Sequence, residues 1–159
     1  MPEPCLLPTD MPLGASVSIL NKTHLIIINE RLKPLGLSSG QFPVMMYLIR
    51  KQNVMQEALV RHFHIDKGSI ARSVKKLEDA GFIRRITDPD NRRAVRLFLT
   101  EKGENVAHEI LRIDREWQDL SFAGLSDDER AQFSALVRRI LNNNLDGVHH
   151  LGVCTCADE

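Results

Sequence analysis

The chain lacks the segments that would place it in or beyond a membrane. It has no uninterrupted run of about 18 apolar residues, so no membrane-spanning helix is predicted. Its N-terminus lacks the basic and apolar regions of a secretory signal peptide, and a cytoplasmic protein is therefore expected. The cysteines number only three, and this odd set forms no obvious disulfide framework.

Catalytic motifs are also missing. An enzyme would need a nucleophile with a base, or a set of metal ligands, gathered in a cleft. The chain has no Ser/His/Asp or Cys/His motif, no phosphate-binding loop and no carboxylate pair at a telling spacing. We therefore expect a protein that is not an enzyme and that uses no cofactor.

Net charge is zero, but the charges are unevenly distributed along the chain. Residues 67–102 contain ten basic and five acidic residues, an excess of +5. The rest of the chain contains eleven basic and sixteen acidic residues, which gives −5. Because binding depends on the local field more than on the total, a basic segment on an acidic body favours nucleic acid as a partner.

The basic segment begins with a predicted amphipathic helix over about residues 66–80. Ile70, Val74 and Leu77 recur at i, i+4 and i+7 and would face the core. The opposite side carries small polar and basic residues, which suit base edges and phosphates in a DNA major groove. For base edges we predict Ser69, Arg72 and Ser73, and for phosphates Lys67, Lys75 and Lys76.

A β-hairpin, or wing, is predicted next, over about residues 82–99. The segment 88–91 is dense in turn-forming residues and joins two runs typical of strands. Arg92 and Arg93 lie at the tip, where they would contact the DNA backbone or enter the minor groove. A recognition helix followed by a basic wing is a winged helix-turn-helix arrangement, so the sequence predicts binding to double-stranded DNA.

The rest of the chain is predicted to be mainly helical, which gives a mainly α (α+β) fold. The boundaries follow from proline, glycine and helix-capping signals. Asp66 and Thr100 are predicted N-caps, and Gly81 ends the recognition helix. In order, we expect an extended arm over 1–12, helices over 13–32, from Ser38 to about Lys51, over 55–63 and from Thr100 onward, and a last helix from Ser126 to about Leu145.

Four segments of the chain resemble the MarR family of transcriptional regulators, and the likeness extends over about residues 13–145. They are LKPLGLSSGQF (32–42), DKGSIARSVKKLEDAGFIRR (66–85), DPDNRRAVRLFLTEKG (88–103) and GLSDDE (124–129). The wing is the most specific of them. One departure is Asn91, which stands where the family usually has an acid and removes one possible ion pair to the wing arginines.

The resemblance implies a homodimer in which helices of 13–34 and 101–146 interleave, with the winged domain over 35–100. The two winged domains would bind successive major grooves of a pseudo-palindromic operator. A small ligand, often an aromatic acid such as salicylate, would release the protein from DNA. The resemblance thus implies a ligand-responsive regulator, acting as a repressor.

Two alternatives remain beside this prediction. The first is a metal- or redox-responsive regulator of the same fold, since thiols and imidazoles lie near the two termini. The candidate residues are Cys5, His149, His150, Cys154 and Cys156, with a flexible tail over 147–159 as the simpler interpretation. The second alternative is a winged helix that binds another protein and not DNA.

Overall fold

In the computed structural model, residues 7–88, 91 and 94–150 are described, and they form six α-helices around a small antiparallel sheet. A single 3-10 turn, Lys33–Leu35, follows the first helix and ends at Gly36 with φ 72°. The elements in chain order are α1 (Leu13–Leu32), α2 (Phe42–Arg50), β1 (Val54–Met55), α3 (Gln56–Phe63), α4 (Lys67–Asp79), β2 (Ile83–Thr87), β3 (Val95–Leu99), α5 (Glu101–Ser121) and α6 (Asp127–His150).

The three strands form one sheet in the order β1-β3-β2. In the hairpin, Ile83 pairs with Leu99 and Thr87 with Val95. The short strand β1 pairs with the other edge of β3, with Val54 opposite Leu97. The hairpin was predicted, whereas β1 was not, because a two-residue strand shows no alternation in the sequence.

One hydrophobic core joins the sheet to helices α2, α3, α4 and α5 and to the end of α1. The helix α4 buries Ile70, Val74 and Leu77, as its periodicity predicts. In α1 only Ile28 and Leu32 are buried. Since no described side chain of α6 is buried, this helix and most of α1 lie outside the core.

The predicted helix caps at three positions are confirmed. Asp66 accepts the N–H of Ser69 at 2.8 Å, and the Thr100 hydroxyl accepts the N–H of Gly103 at 3.2 Å. The capping box before α6 is reciprocal. The Glu129 carboxylate accepts the N–H of Ser126 at 2.8 Å, and the Ser126 hydroxyl accepts that of Glu129 at 3.3 Å.

Two predicted boundaries are wrong. The prediction starts α2 at Ser38, but residues 38–41 form a turn in which Gln41 accepts the Ser38 N–H at 2.9 Å. The helix begins at Phe42, because Pro43 has no N–H and fits only the first turn. The last helix continues past its predicted end at about Leu145 to His150, so residues 147–150 are helical. A single glycine in that stretch costs about 1 kcal/mol, which a helix tolerates.

The described part of the chain contains no helix that is both long enough and apolar enough to cross a membrane.

Candidate nucleic-acid interface

The exposed face of α4 carries most of the predicted DNA-contacting residues. Because Ile70, Val74 and Leu77 anchor the helix in the core, its other side faces solvent. That side is cationic. The exposed basic residues there are Lys67, Arg72, Lys75 and Lys76.

A hydrogen-bond network holds Arg72 along this face. Its Nη2 donates to the Ser69 hydroxyl at 2.8 Å, and Ser69 in turn donates its backbone N–H to the capping carboxylate of Asp66. Hydrogen bonds from Ser69 hold the pKa of Asp66 below its usual range, with a smaller contribution from the Arg72 charge. The hydrogen bond therefore favours one orientation of the guanidinium along the exposed face of α4.

Ser73 differs from the other predicted base-contacting residues because its hydroxyl already has a partner. It donates to the carbonyl oxygen of Gly40 at 2.9 Å and is half-buried. The bond joins α4 to the turn that precedes α2. Only the acceptor lone pairs of Ser73 are left for a base, so we expect a smaller direct role for it than for Arg72.

The turn at 38–41 and α4 enclose a shallow recess of about 220 Å³. Arg72 and Lys76 border it on one side, and Ser38, Gly40 and Gln41 border it on the other. The sequence analysis assigned these last three residues only to a helix start. The signal for a second role was their small and polar character beside a basic helix, but their proximity to α4 depends on the tertiary fold.

Of the remaining predicted site residues, Lys75 is described by the structure, whereas the two wing arginines are not. Lys75 forms an exposed ion pair with Asp79, with Nζ 3.1 Å from Oδ2. Such a pair is worth less than about 1 kcal/mol and leaves the lysine able to exchange its partner for a phosphate. Arg92 and Arg93 lie outside the described residues.

The proposed metal or thiol site is not tested by the structure. Cys5, Cys154 and Cys156 lie outside the described residues, as does the side chain of His149. His150 is the last residue of α6. Within the described ranges, no group of three or more His, Cys, Asp or Glu residues is placed to hold a metal ion.

A larger open cavity of about 590 Å³ lies where α1 and α5 meet α2 and α3. Its walls are aromatic. The His24 ring lies on Trp117, with centroids 4.3 Å apart, and Tyr47 contacts His62 at 4.7 Å. Its charged residues are Arg50, Lys51 and Asp114. The sequence analysis missed this cavity, because the residues come from four separate elements.

Burial lowers the pKa of His24 below its ordinary value, and the Asp114 carboxylate opposes part of that shift. The imidazole is therefore neutral at physiological pH and presents an apolar ring face together with one hydrogen-bond donor and one acceptor.

The helices outside the core expose large apolar side chains in the single chain. On α1 they include Leu13, Val17 and Ile26, each more than half exposed. On α6 they are Phe133, Leu136, Ile140, Leu141 and Val148. Runs of exposed apolar residues on two long helices are typical of surfaces that bind another protein.

Comparison with known proteins gives a consistent result. The MarR family matches residues 37–95. An uncharacterized HTH-type transcriptional regulator of Bacillus subtilis, YybA, is 32% identical over 117 residues, which cover 74% of this chain and 78% of the relative.

Solved structures agree with the sequence relatives. A MarR transcriptional regulator from Methanosarcina mazei is 35% identical, with a TM-score of 0.78 over 84% of this chain and 96% of that one. A putative MarR family regulator from Listeria monocytogenes, complexed with a 26mer DNA, has a TM-score of 0.83 at 24% identity. The match covers 89% of this chain and 95% of the Listeria chain, and at that sequence identity it supports the fold alone.

Proposed function

The chain belongs to the MarR family of DNA-binding transcriptional regulators, which are not enzymes, and we propose that it acts as a homodimeric repressor released by a small ligand. The observation that carries most of the proposal is the preformed Asp66–Ser69–Arg72 network on the exposed face of α4. It presents one arginine, the side chain that most often contacts guanine, from near the middle of the recognition helix.

Two copies of the chain are needed for this site to work at full affinity. A pseudo-palindromic operator presents half-sites about 34–36 Å apart, so the two recognition helices must be related by a two-fold axis. The exposed apolar residues of α1 and α6 supply a surface for the second copy.

The cavity where α1 and α5 meet α2 and α3 is the proposed ligand site. Its volume of about 590 Å³ lies within the range of small-molecule sites. Aromatic walls with Arg50 and Lys51 at the edge suit a planar aromatic acid such as salicylate. A ligand that binds best when the recognition helices are wrongly spaced for two successive grooves would lower the affinity for DNA.

The test is a binding assay with a duplex that the protein itself selects from a random-sequence pool. We expect a dimer to bind that duplex far more tightly than a scrambled control, with a steep dependence on salt. Salicylate would weaken the binding, and an Arg50→Ala variant would need more of it. A single chain bound per duplex, or equal affinity for the scrambled control, would contradict the dimeric repressor.

The ligand step has its own measurement. Titration of salicylate into the protein without DNA, followed by Trp117 fluorescence, reports occupancy of the cavity, because the Trp117 ring contacts His24, which lines the cavity, with ring centroids 4.3 Å apart. Binding that leaves DNA affinity unchanged would remove ligand release from the proposal and leave the regulator itself in place.

A further inference from the structure

The base of the wing is closed by hydrogen bonds between the two ends of its loop. Asp88 donates its N–H to the carbonyl oxygen of Ala94 at 2.9 Å, and Ala94 donates to that of Asn91 at 2.8 Å. The Asp88 carboxylate also accepts the N–H of Asn91 at 3.3 Å. The ends of the loop are therefore fixed relative to β2 and β3.

Asp88 is the one described acidic residue that is buried, with only 3% of its surface exposed. A buried carboxylate costs several kcal/mol unless a positive partner and hydrogen bonds compensate for the lost water. Arg96 on β3 supplies that partner, since its Nε donates to Asp88 Oδ2. The pair ties the residue after β2 to the opposite strand.

The same guanidinium reaches beyond the hairpin. Its Nη1 donates to the Oδ1 of Asn53 at 3.3 Å, in the segment between α2 and β1. Asn53 has φ 58°, a left-handed conformation that asparagine tolerates better than most residues. Its N–H donates to the carbonyl oxygen of Leu97 at 3.1 Å. One arginine thus connects the wing loop, the central strand and the segment that precedes β1.

We propose that Arg96 is a positioning residue for DNA binding, which fixes the base of the wing through Asp88 and Asn53 so that Arg92 and Arg93 meet the duplex in one orientation. The inference rests on the wing contacts expected of those two arginines. Without the connection, the loop would lose more conformational freedom when it binds, which weakens binding without removing a contact. Arg96 is only one-third exposed and acts through its neighbours.

The test is a double-mutant cycle on the full-length protein with the selected duplex described above. The three variants are Arg96→Met, the pair Arg92→Ala/Arg93→Ala, and all three changes together. We expect Arg96→Met to weaken binding by about tenfold in the wild-type background. In the Arg92→Ala/Arg93→Ala background it should change the affinity by less than about twofold, because residues that act through each other are not additive.

A matched control separates position from charge. Arg84 is an exposed arginine on β2 of the same sheet, with its guanidinium 5.5 Å from the Phe98 ring centroid. Arg84→Met removes the same charge and leaves the Asp88–Arg96–Asn53 connection in place. We expect it to weaken binding by less than about twofold at physiological salt, where distant surface charges are screened.

A second variant guards against a fold that fails without Arg96. Asn53→Gly keeps the left-handed backbone accessible and removes only the side-chain acceptor. We expect a smaller loss of affinity than for Arg96→Met, with an unchanged melting temperature, and again no loss in the Arg92→Ala/Arg93→Ala background.

Two results would overturn the proposal. One is an affinity for the duplex that stays unchanged in either the Arg96→Met or the Asn53→Gly variant. The other is a loss for Arg96→Met that persists in full when Arg92 and Arg93 are absent, with a salt slope lower by about one, since that marks Arg96 as a direct phosphate contact. The affinity of the Arg92→Ala/Arg93→Ala variant, with Arg96 intact, tests the wing contacts separately. A loss of binding in that variant supports them.

Discussion

The winged domain differs from the two long outer helices α1 and α6 in how far the apolar side chains are buried. In α2 and α4, the apolar residues face one shared core, and the polar residues face solvent. In α6, no described residue is buried, although the helix is 24 residues long. A helix gains most of its stability from packing of its apolar face, and α6 leaves that face exposed in the single chain.

The two regions therefore differ in how much apolar surface they leave exposed in the single chain. The winged domain contains most of the buried core residues, the Asp66 helix cap and the network around Arg72. The outer helices are connected to it through the end of α1 and the middle of α5, where Ile110 and Ile113 are buried.

The largest effect is expected from a charge placed on the outer surface of α6. Ile140→Asp puts a carboxylate on each copy of the proposed dimer interface, where an unpaired charge costs about 3 kcal/mol or more. Since a two-fold dimer carries the change twice, the dissociation constant should rise by at least about a thousandfold. Sedimentation at a series of protein concentrations measures it.

The control for Ile140→Asp is an Ile→Asp substitution at an equally exposed position in the winged domain. Ile86 on β2 is 41% exposed, against 40% for Ile140, so the two positions look alike in the single chain. Ile86→Asp should leave the sedimentation coefficient unchanged. If both variants dissociate equally, the outer helices are not the assembly surface.

The next effect concerns the join between the two regions. A Cβ added at Gly103 would lie 2.2 Å from the carbonyl oxygen of Phe82, so the start of α5 would have to move away from the sheet. Because the clashing atom belongs to the backbone, we expect Gly103→Ala to lower the free energy of unfolding by about 3 kcal/mol. Urea unfolding at fixed protein concentration measures this loss.

Gly14 provides the comparison, since it also lies in the first turn of a helix, but nothing lies within 4 Å of an added Cβ. Gly14→Ala should be neutral or stabilise by up to about 1 kcal/mol. Equal destabilisation by both substitutions would show that the close contact at Gly103 is not the cause.

Two basic residues on α4 should differ in what they change. Arg72→Ala should cost about 1–3 kcal/mol on the selected duplex and relax the preference at one base pair. Lys76→Ala should weaken binding to all sequences alike and lower the salt slope by about one. Affinities for a set of single-base variants of the duplex, at several salt concentrations, separate the two outcomes. Identical profiles for both variants would contradict the assigned roles.

The sequence predicts the elements whose signals are local. The period of Ile70, Val74 and Leu77 predicts α4, and Asp66 and Thr100 predict helix starts because a cap needs only nearby residues. The same spacing of the apolar residues also predicts that the basic residues of α4 lie on its exposed side.

Features that join distant segments could not be predicted. The bond from Ser73 to Gly40 spans 33 residues and that from Arg96 to Asn53 spans 43, and no local pattern encodes either distance. The same holds for the cavity, whose residues come from four helices. Pro43 carries a local signal for the start of α2, but the prediction used only the capping-box pattern at Ser38 and Gln41.

The smallest effect is expected from the titration of His24, on α1 where the outer helix meets the core. Because burial lowers its folded-state pKa, the unfolded chain takes up the proton first as the pH falls. The protein should therefore lose stability below about pH 6.5, the ordinary pKa of histidine, until the folded-state pKa is also passed. Above that pH this group should contribute no pH dependence.

His24→Gln isolates the contribution of His24 from that of the other histidines. The difference in unfolding free energy between wild type and variant should be constant above about pH 6.5 and should shift against the wild type below it. Urea unfolding between pH 5 and 8 gives the curve. A difference that does not vary with pH would mean that the ring stays hydrated in the folded protein, and that α1 packs on Trp117 and Phe42 more loosely than the winged core packs on itself.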